Sequence, residues 1–213
     1  MLGYEREVTG IYISGHPLDE YADMIKANST VSGADLALDE DGNVAVDDNK
    51  QAVFGGLISK VTVKSSRAGL AMAFITCEDL TGSAEIVVFP KIYAEYRQQI
   101  FEGNKIFIKG RTSRTDDGDA KIIADKIISF DSLQRFVWIK FDDLGSYIQE
   151  EAFIDSLGKG KYAGEAYIVI YLVKEKQRKR MPESCRTRSD AEMIDMLKKR
   201  YGSKNVAVTY SKI

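Results

Sequence analysis

Met72 to Pro90, MAFITCEDLTGSAEIVVFP, is the stretch that decides the fold. Side chains alternate along an extended segment, so Met72, Phe74 and Thr76 fall on one face and Ala73, Ile75 and Cys77 on the other. After Glu78-Asp79 the chain must reverse tightly, and Leu80-Thr81-Gly82 supplies the turn; Ala84, Ile86 and Val88 then alternate with Ser83, Glu85 and Val87. The two runs read as a hairpin with one apolar face, and Cys77 as a filler of the core beneath it.

Three further strands extend the pattern. Upstream, Val53 to Lys64 is a long strand whose Gly55-Gly56 pair permits the sharp coiling that a small barrel requires. Downstream come Lys105 to Arg114 and Lys121 to Phe130. Pro90 opens a helical segment through Ile100, with Ile92, Tyr93, Tyr96 and Ile100 spaced for one buried stripe. Three strands, a helix and two strands is the order of a five-stranded OB-fold barrel, here over residues 51–130.

Flanking segments complete an α+β chain. Leu2 to Ile13 has helical character until Ser14-Gly15, and Pro17 starts a short amphipathic stretch from Leu18 to Lys26. Residues 36–50, LALDEDGNVAVDDNK, read as an acidic connector kinked at Asp41-Gly42-Asn43, marking a domain boundary after a helical segment over residues 1–50. Beyond Phe130, strands are expected at Phe136–Phe141, Glu165–Lys174, Arg178–Met181 and Asn205–Tyr210. Helices are expected from Leu144 to Leu157 and, behind a Ser189/Glu192 capping box, through Arg200. The order βαββαβ suggests a ferredoxin-like sandwich over residues 131–213.

The chain has 213 residues, enough for two compact domains. No apolar run approaches the roughly 20 residues that span a bilayer, and no signal peptide is recognisable, so no membrane partner is expected. Cys77 and Cys185 lack CxxC spacing, which fits reduced thiols in a cytoplasmic protein. Charge is graded along the chain: residues 1–50 carry 3 basic and 11 acidic side chains (net −8), residues 51–130 carry 11 and 9 (net +2), and residues 131–213 carry 16 and 12 (net +4). Sign asymmetry of this kind points a polyanion away from the N-terminal end.

Few groups suit catalysis. His16 is the single histidine, which leaves no Ser-His-Asp triad and no multi-histidine zinc site; its expected role is hydrogen bonding at the turn between helices. Neither GxxxxGK[ST] nor GxGxxG occurs. Asp39 to Asn43 departs from a calcium loop, since Lys50 stands where the bidentate acid belongs, and Asp116-Asp117 and Asp142-Asp143 read as turn and cap acids. No catalytic residue, metal or cofactor is expected.

The remaining signal is a surface. On the fourth strand Lys105, Phe107, Lys109 and Arg111 share one parity, opposite Ile106 and Ile108. Lys60 and Lys64 share a parity on the first strand with Thr62, and Phe74 should face out beside them. Arg67 and Arg114 enter the two loops with which OB-folds close over oligonucleotides. Cations neutralise phosphates while aromatic rings stack bases, so these nine residues are the candidate interface for single-stranded nucleic acid. In the alternative reading the cations solubilise the barrel, and Phe74 and Phe107 pack under neighbouring parts. The run Lys174 to Arg180, KEKQRKR, could extend such a path, but reads better as a strand end entering a turn.

Glu7 to Leu18, EVTGIYISGHPL, followed by a barrel containing Met72-Ala73-Phe74 and Glu78-Asp79-Leu80-Thr81-Gly82, resembles the C-terminal part of the bacterial DNA polymerase III alpha subunit. The motifs that carry the resemblance lie within residues 1–130; residues 131–213 match by position. It implies a template-directed polymerase whose catalytic domains are missing from this chain, and hence no polymerase activity here. It also implies an OB domain near single-stranded template DNA, and as partners the remainder of the polymerase and the tau subunit of the clamp loader in a cytoplasmic replisome. Two other readings are a clamp-loader docking module without DNA binding and an anticodon-type RNA-binding barrel.

Overall fold

The computed structural model describes residues 16–115 and 118–213. They form two compact units, one through Ser132 and one from Leu133 to Lys212. The helix expected over Leu2 to Ile13, most of the Glu7–Leu18 motif and the Asp116-Asp117 pair lie outside the described residues.

The first unit is a closed barrel of strands β1 (Gln51–Ser65), β2 (Ala71–Glu78), β3 (Ser83–Val88), β4 (Lys105–Thr115) and β5 (Gly118–Ser129), ordered β1-β2-β3-β5-β4. The expected β2–β3 hairpin is present, with Ile75 opposite Ile86 and Cys77 opposite Ala84. Phe54, Ile58, Ile75, Ile86, Ile106 and Ile122 fill the core and are almost fully shielded. Each such side chain contributes about 1.5–3 kcal/mol on burial. Burial pushes the Cys77 thiol far above its ordinary range, and the Asp79 and Glu78 charges push in the same direction.

Helix α1 (Ala22–Asn28) and the short helix α2 (Gly33–Leu36) precede β1, and α3 (Pro90–Tyr96) lies between β3 and β4, followed by a 3-10 turn from Arg97 to Gln99. Ile92, Tyr93, Tyr96 and Ile100 turn towards the core, as their spacing predicts. At the turn, the His16 ring Nδ1 accepts from Leu18 N at 3.1 Å, while the His16 backbone N–H donates to Asp19 Oδ2 at 2.7 Å.

The acidic stretch 36–50 does not separate domains. Leu36 is buried in the barrel core, and Val44 and Val46 pack against it. Backbone and hydroxyl groups clip the stretch to β4: Lys50 N donates to Thr112 Oγ1 at 2.9 Å, Thr112 Oγ1 donates to Asp47 O at 2.6 Å, and Arg114 N donates to Asp48 Oδ1 at 2.9 Å. The expected kink is present, with Gly42 at φ +77° and Asp39 Oδ1 accepting from the N–H groups of Asp41 and Asn43. That carboxylate satisfies its own turn, as acids in such loops commonly do.

The second unit has strands β6 (Arg135–Phe141), β7 (Ala163–Leu172), β8 (Gln177–Arg180) and β9 (Val206–Tyr210), with helices α4 (Leu144–Ser156) and α5 (Ala191–Tyr201). The expected element order is found, but the sheet runs β8-β7-β6-β9 and β6 pairs directly with β7 in parallel. A ferredoxin-like sandwich splits its βαβ unit with an intervening strand; here none intervenes, so that assignment is corrected. Val137, Ile139, Ile168 and Ile170 meet Tyr147, Ile154 and Leu197 from the helices on one face. Asp143 caps α4, and hydrogen bonds from Lys174 Nζ at 2.6 Å and from Ser146 hold its carboxyl down at about 2. The N-cap of α5 is Asp190, which accepts from Met193 N at 3.1 Å, one residue beyond the expected Ser189.

Candidate nucleic-acid interface

Parity along the strands is as expected, but the outer wall of the barrel has two different halves. Lys105, Phe107, Lys109 and Arg111 oppose Leu57, Gly55, Val53 and Gln51 of β1. Lys60, Thr62 and Lys64 oppose Thr76, Phe74 and Met72 of β2. Both sets face away from the core. β1 can present odd-numbered residues in its first half and even-numbered ones in its second because its register shifts between Ile58 and Lys60, a β-bulge that gives Ser59 no partner of its own.

The first half is covered. Phe107 is 0 % exposed, so its placement on an open face is corrected. Its ring lies 4.5 Å from that of Phe130, which in turn lies 5.4 Å from Tyr21 at the start of α1. A Cβ at Gly55 would come within 2.4 Å of the Phe107 ring, so only glycine lets the ring lie flat on β1. Thr30 fixes this cap: its N–H donates to Val53 O at 2.8 Å, and its Oγ1 accepts from Val53 N at 2.9 Å. Lys105 is half-buried, with Nζ 5.1 Å from the Tyr21 ring centre, a cation–π contact inside the same cap. Lys109 is exposed, across from Lys126 of β5, a second cation that strand parity alone did not single out.

At the far end of β4, Arg111 is 45 % exposed, donates to Asn49 Oδ1 at 3.2 Å and lies 4.0 Å from Asp125. Arg114 is exposed beside Asp48. The acidic stretch 36–50 therefore places the Asn49 amide on Arg111 and the Asp48 carboxylate beside Arg114, and with Asp125 of β5 near Arg111 the pull of both arginines on a polyanion is weakened.

The second half is open. Phe74 is half-buried and sits between Thr62 and Val87 across β1 and β3. The Lys64 ammonium lies 5.2 Å from its ring centre. Lys60 and Lys64 are exposed, and so is Arg67 in the β1–β2 loop, where Leu70 is 59 % exposed. One row further, Glu85 is paired with Lys121 at 2.7 Å, a neutralised pair on the same face. Following the Phe74 row through Val87 and Ile123 leads to Arg111, three strand spacings, about 14 Å, around the wall. The nine expected residues therefore do not form one patch. Lys60, Lys64 and Phe74 come together with Arg67 in the loop beyond them, Lys109, Arg111 and Arg114 line β4, and Lys105 and Phe107 belong to the cap.

The Asp79 carboxylate is buried in a structural role. It accepts from Gly33 N at 2.8 Å, Thr81 N at 2.7 Å, Thr81 Oγ1 at 2.8 Å and Gly82 N at 2.9 Å, tying the β2–β3 turn to α2. The contact is so close that a Cβ on Gly33 would lie 2.5 Å from the Gly82 backbone.

A family model described as an OB-fold nucleic acid binding domain matches residues 53–129. The DNA polymerase III subunit alpha of Borreliella burgdorferi is 33 % identical over 163 residues, covering 74 % of this chain and 13 % of that protein. The Bacillus subtilis subunit is 29 % identical over 213 residues, covering 98 % of this chain and 18 % of its own. The Aquifex aeolicus subunit is 38 % identical over 109 residues, covering 51 % and 9 %. This chain spans less than a fifth of the length of these curated relatives. With the barrel matched as an OB-fold and the Bacillus subtilis alignment running through the second unit as well, the chain belongs to the bacterial DNA polymerase III alpha subunit family, as its C-terminal, OB-fold-bearing region.

Proposed function

We propose that the barrel holds single-stranded DNA for a replicative polymerase, on the open face of β1, β2 and β3, and that nucleotidyl transfer belongs to parts of the polymerase outside this chain. The observation that carries this reading is Phe74, outward and half-buried, with Lys64 over its ring, Lys60 on the same face of β1 and Arg67 exposed in the loop that follows. A base stacked on such a ring contributes about 1–3 kcal/mol, and the cations release counterions from the phosphates. With open cations from one strand and one loop and a barrel net charge of +2, binding is weak and salt-sensitive, and becomes effective when the barrel is tethered to the rest of the enzyme. Attachment to that remainder, and to a clamp-loader tau subunit in the cytoplasmic replisome, follows from the family resemblance.

The test is fluorescence anisotropy with single-stranded DNA, matched duplex and RNA at low salt, followed by a salt titration. Preference for the single strand, with log affinity falling linearly in log salt, is expected. Equal binding of duplex, or none of any nucleic acid at low salt, would sink the reading in favour of a protein-docking role; preference for structured RNA would favour the anticodon type.

A further inference from the structure

The second unit carries its own aromatic and basic face, on the side of its sheet away from α4 and α5. Cross-strand register places Phe136 beside Tyr167, Trp138 beside Val169, and Lys140 beside Tyr171, with Arg180 and Arg178 continuing the rows on β8. The rings differ in what already occupies them. Phe136 and Tyr167 stack on each other at 5.8 Å, and the Arg180 guanidinium covers both, 3.7 Å from the Tyr167 ring centre and 5.6 Å from that of Phe136. The Trp138 ring has no such partner among the described residues. Its Nε1 donates to Thr209 Oγ1 at 2.8 Å, which fixes the plane of the indole, and its neighbour on β9 is the small Ala207.

The result is a depression of about 370 Å³ lined by Trp138, Lys140, Tyr171, Lys204, Asn205 and Ala207, among others. Lys140 and Lys204 make no ion pair among the described residues, whereas Arg186, Arg188 and Arg200 of the same unit are each bound to carboxylates. We propose that this depression is a second binding site for single-stranded nucleic acid: a base stacks on Trp138, Lys140 and Lys204 hold the flanking phosphates, and Arg178 extends the cationic track. A helix-backed four-stranded sheet that stacks unpaired bases on aromatic side chains is an established device for single strands. An acidic peptide would answer the charges but leave the fixed indole plane unused. The proposal is independent of the barrel reading.

Trp138 is the only tryptophan in the chain, so its emission reports on this site alone. Oligothymidylate titrated into the full chain at low salt should quench that emission. The quench should persist in a Phe74→Ala/Lys64→Ala variant and shift at least tenfold in midpoint in Lys140→Glu/Lys204→Glu, with Lys140→Ala/Lys204→Ala giving a smaller shift in the same direction. Unchanged emission on adding oligonucleotide overturns the proposal, as does a quench lost in the barrel variant but intact in the lysine variants. Equal quenching by polyglutamate would assign the face to an acidic protein instead.

Discussion

Phe107 and Phe74 obey the same rule and meet opposite fates. Each is an outward-facing aromatic flanked by lysines on a strand of one barrel, yet Phe107 is sealed beneath Phe130 and Tyr21 while Phe74 stays open under Lys64. Alternation tells which side of a sheet a residue takes; it says nothing of what lies over that side. The residues before β1 both cap and clip the β1–β4 half, Tyr21 helping to bury its aromatic and Asn49 and Asp48 binding beside its arginines, and what remains for a polyanion is the β1–β2–β3 half.

The sharpest way to break this comparison is Phe107→Ala. It should destabilise the first unit by about 4 kcal/mol, since a large buried ring is replaced by a cavity, as read by urea unfolding. A loss below about 1 kcal/mol would mean the cap is not seated on this ring. Next in size, Asp79→Ala should cost about 3 kcal/mol in the same assay by leaving the N–H groups of Gly33, Thr81 and Gly82 without their acceptor. Its effect on DNA affinity at a temperature where the variant is folded should be negligible; tighter binding would make Asp79 a repelling charge beside the interface.

Phe74→Ala reverses the pattern: stability within about 1 kcal/mol of the parent, but affinity for a single strand down by about tenfold in anisotropy. Lys64→Ala should weaken binding two- to threefold and reduce the slope of log affinity against log salt by about 0.7. The smallest effect is expected from Lys109→Ala/Arg111→Ala, less than about twofold, because Arg111 already answers Asn49 and Asp125. If that pair mattered more than Phe74, the open face would have to be redrawn around β4.

Much of this was legible in the residues. The hairpin at Leu80-Thr81-Gly82, the stripe on α3 and the element order of both units follow from period, turn chemistry and the proline that opens α3. Strand order in the second sheet was not, since βαββαβ is compatible with split and unsplit arrangements that differ only in long-range pairing. Ser189 and Asp190 are both good caps, and one position of phase between them is settled by packing of Met193 and Leu197. The basic run 174–180 is half turn and half strand, with Lys176 at φ +53° and β8 beginning at Gln177. Trp138 was passed over because a tryptophan alternating with Val137 and Ile139 looks like any amphipathic strand; only the register that brings Lys140, Tyr171 and Lys204 around it makes it distinctive.

The unpartnered Ser59 has a consequence for how such a barrel can change over time. Substituting Ser59 would remove one long hydrogen bond, at 3.3 Å, to Thr76 O. Deleting it would remove only the bulge, leaving Ile58 and Lys60 adjacent opposite Cys77 and Thr76 with Lys60 and Lys64 still outward; deleting a paired residue such as Val61 would work like a frameshift in three dimensions, inverting every side chain from there to the loop. The open face thus depends on the number of paired residues beyond the bulge more than on the bulge residue itself. A lineage could lose the codon for Ser59 and keep the cations of that face, but it could not lose one from the paired stretch between Lys60 and Lys64 and keep both.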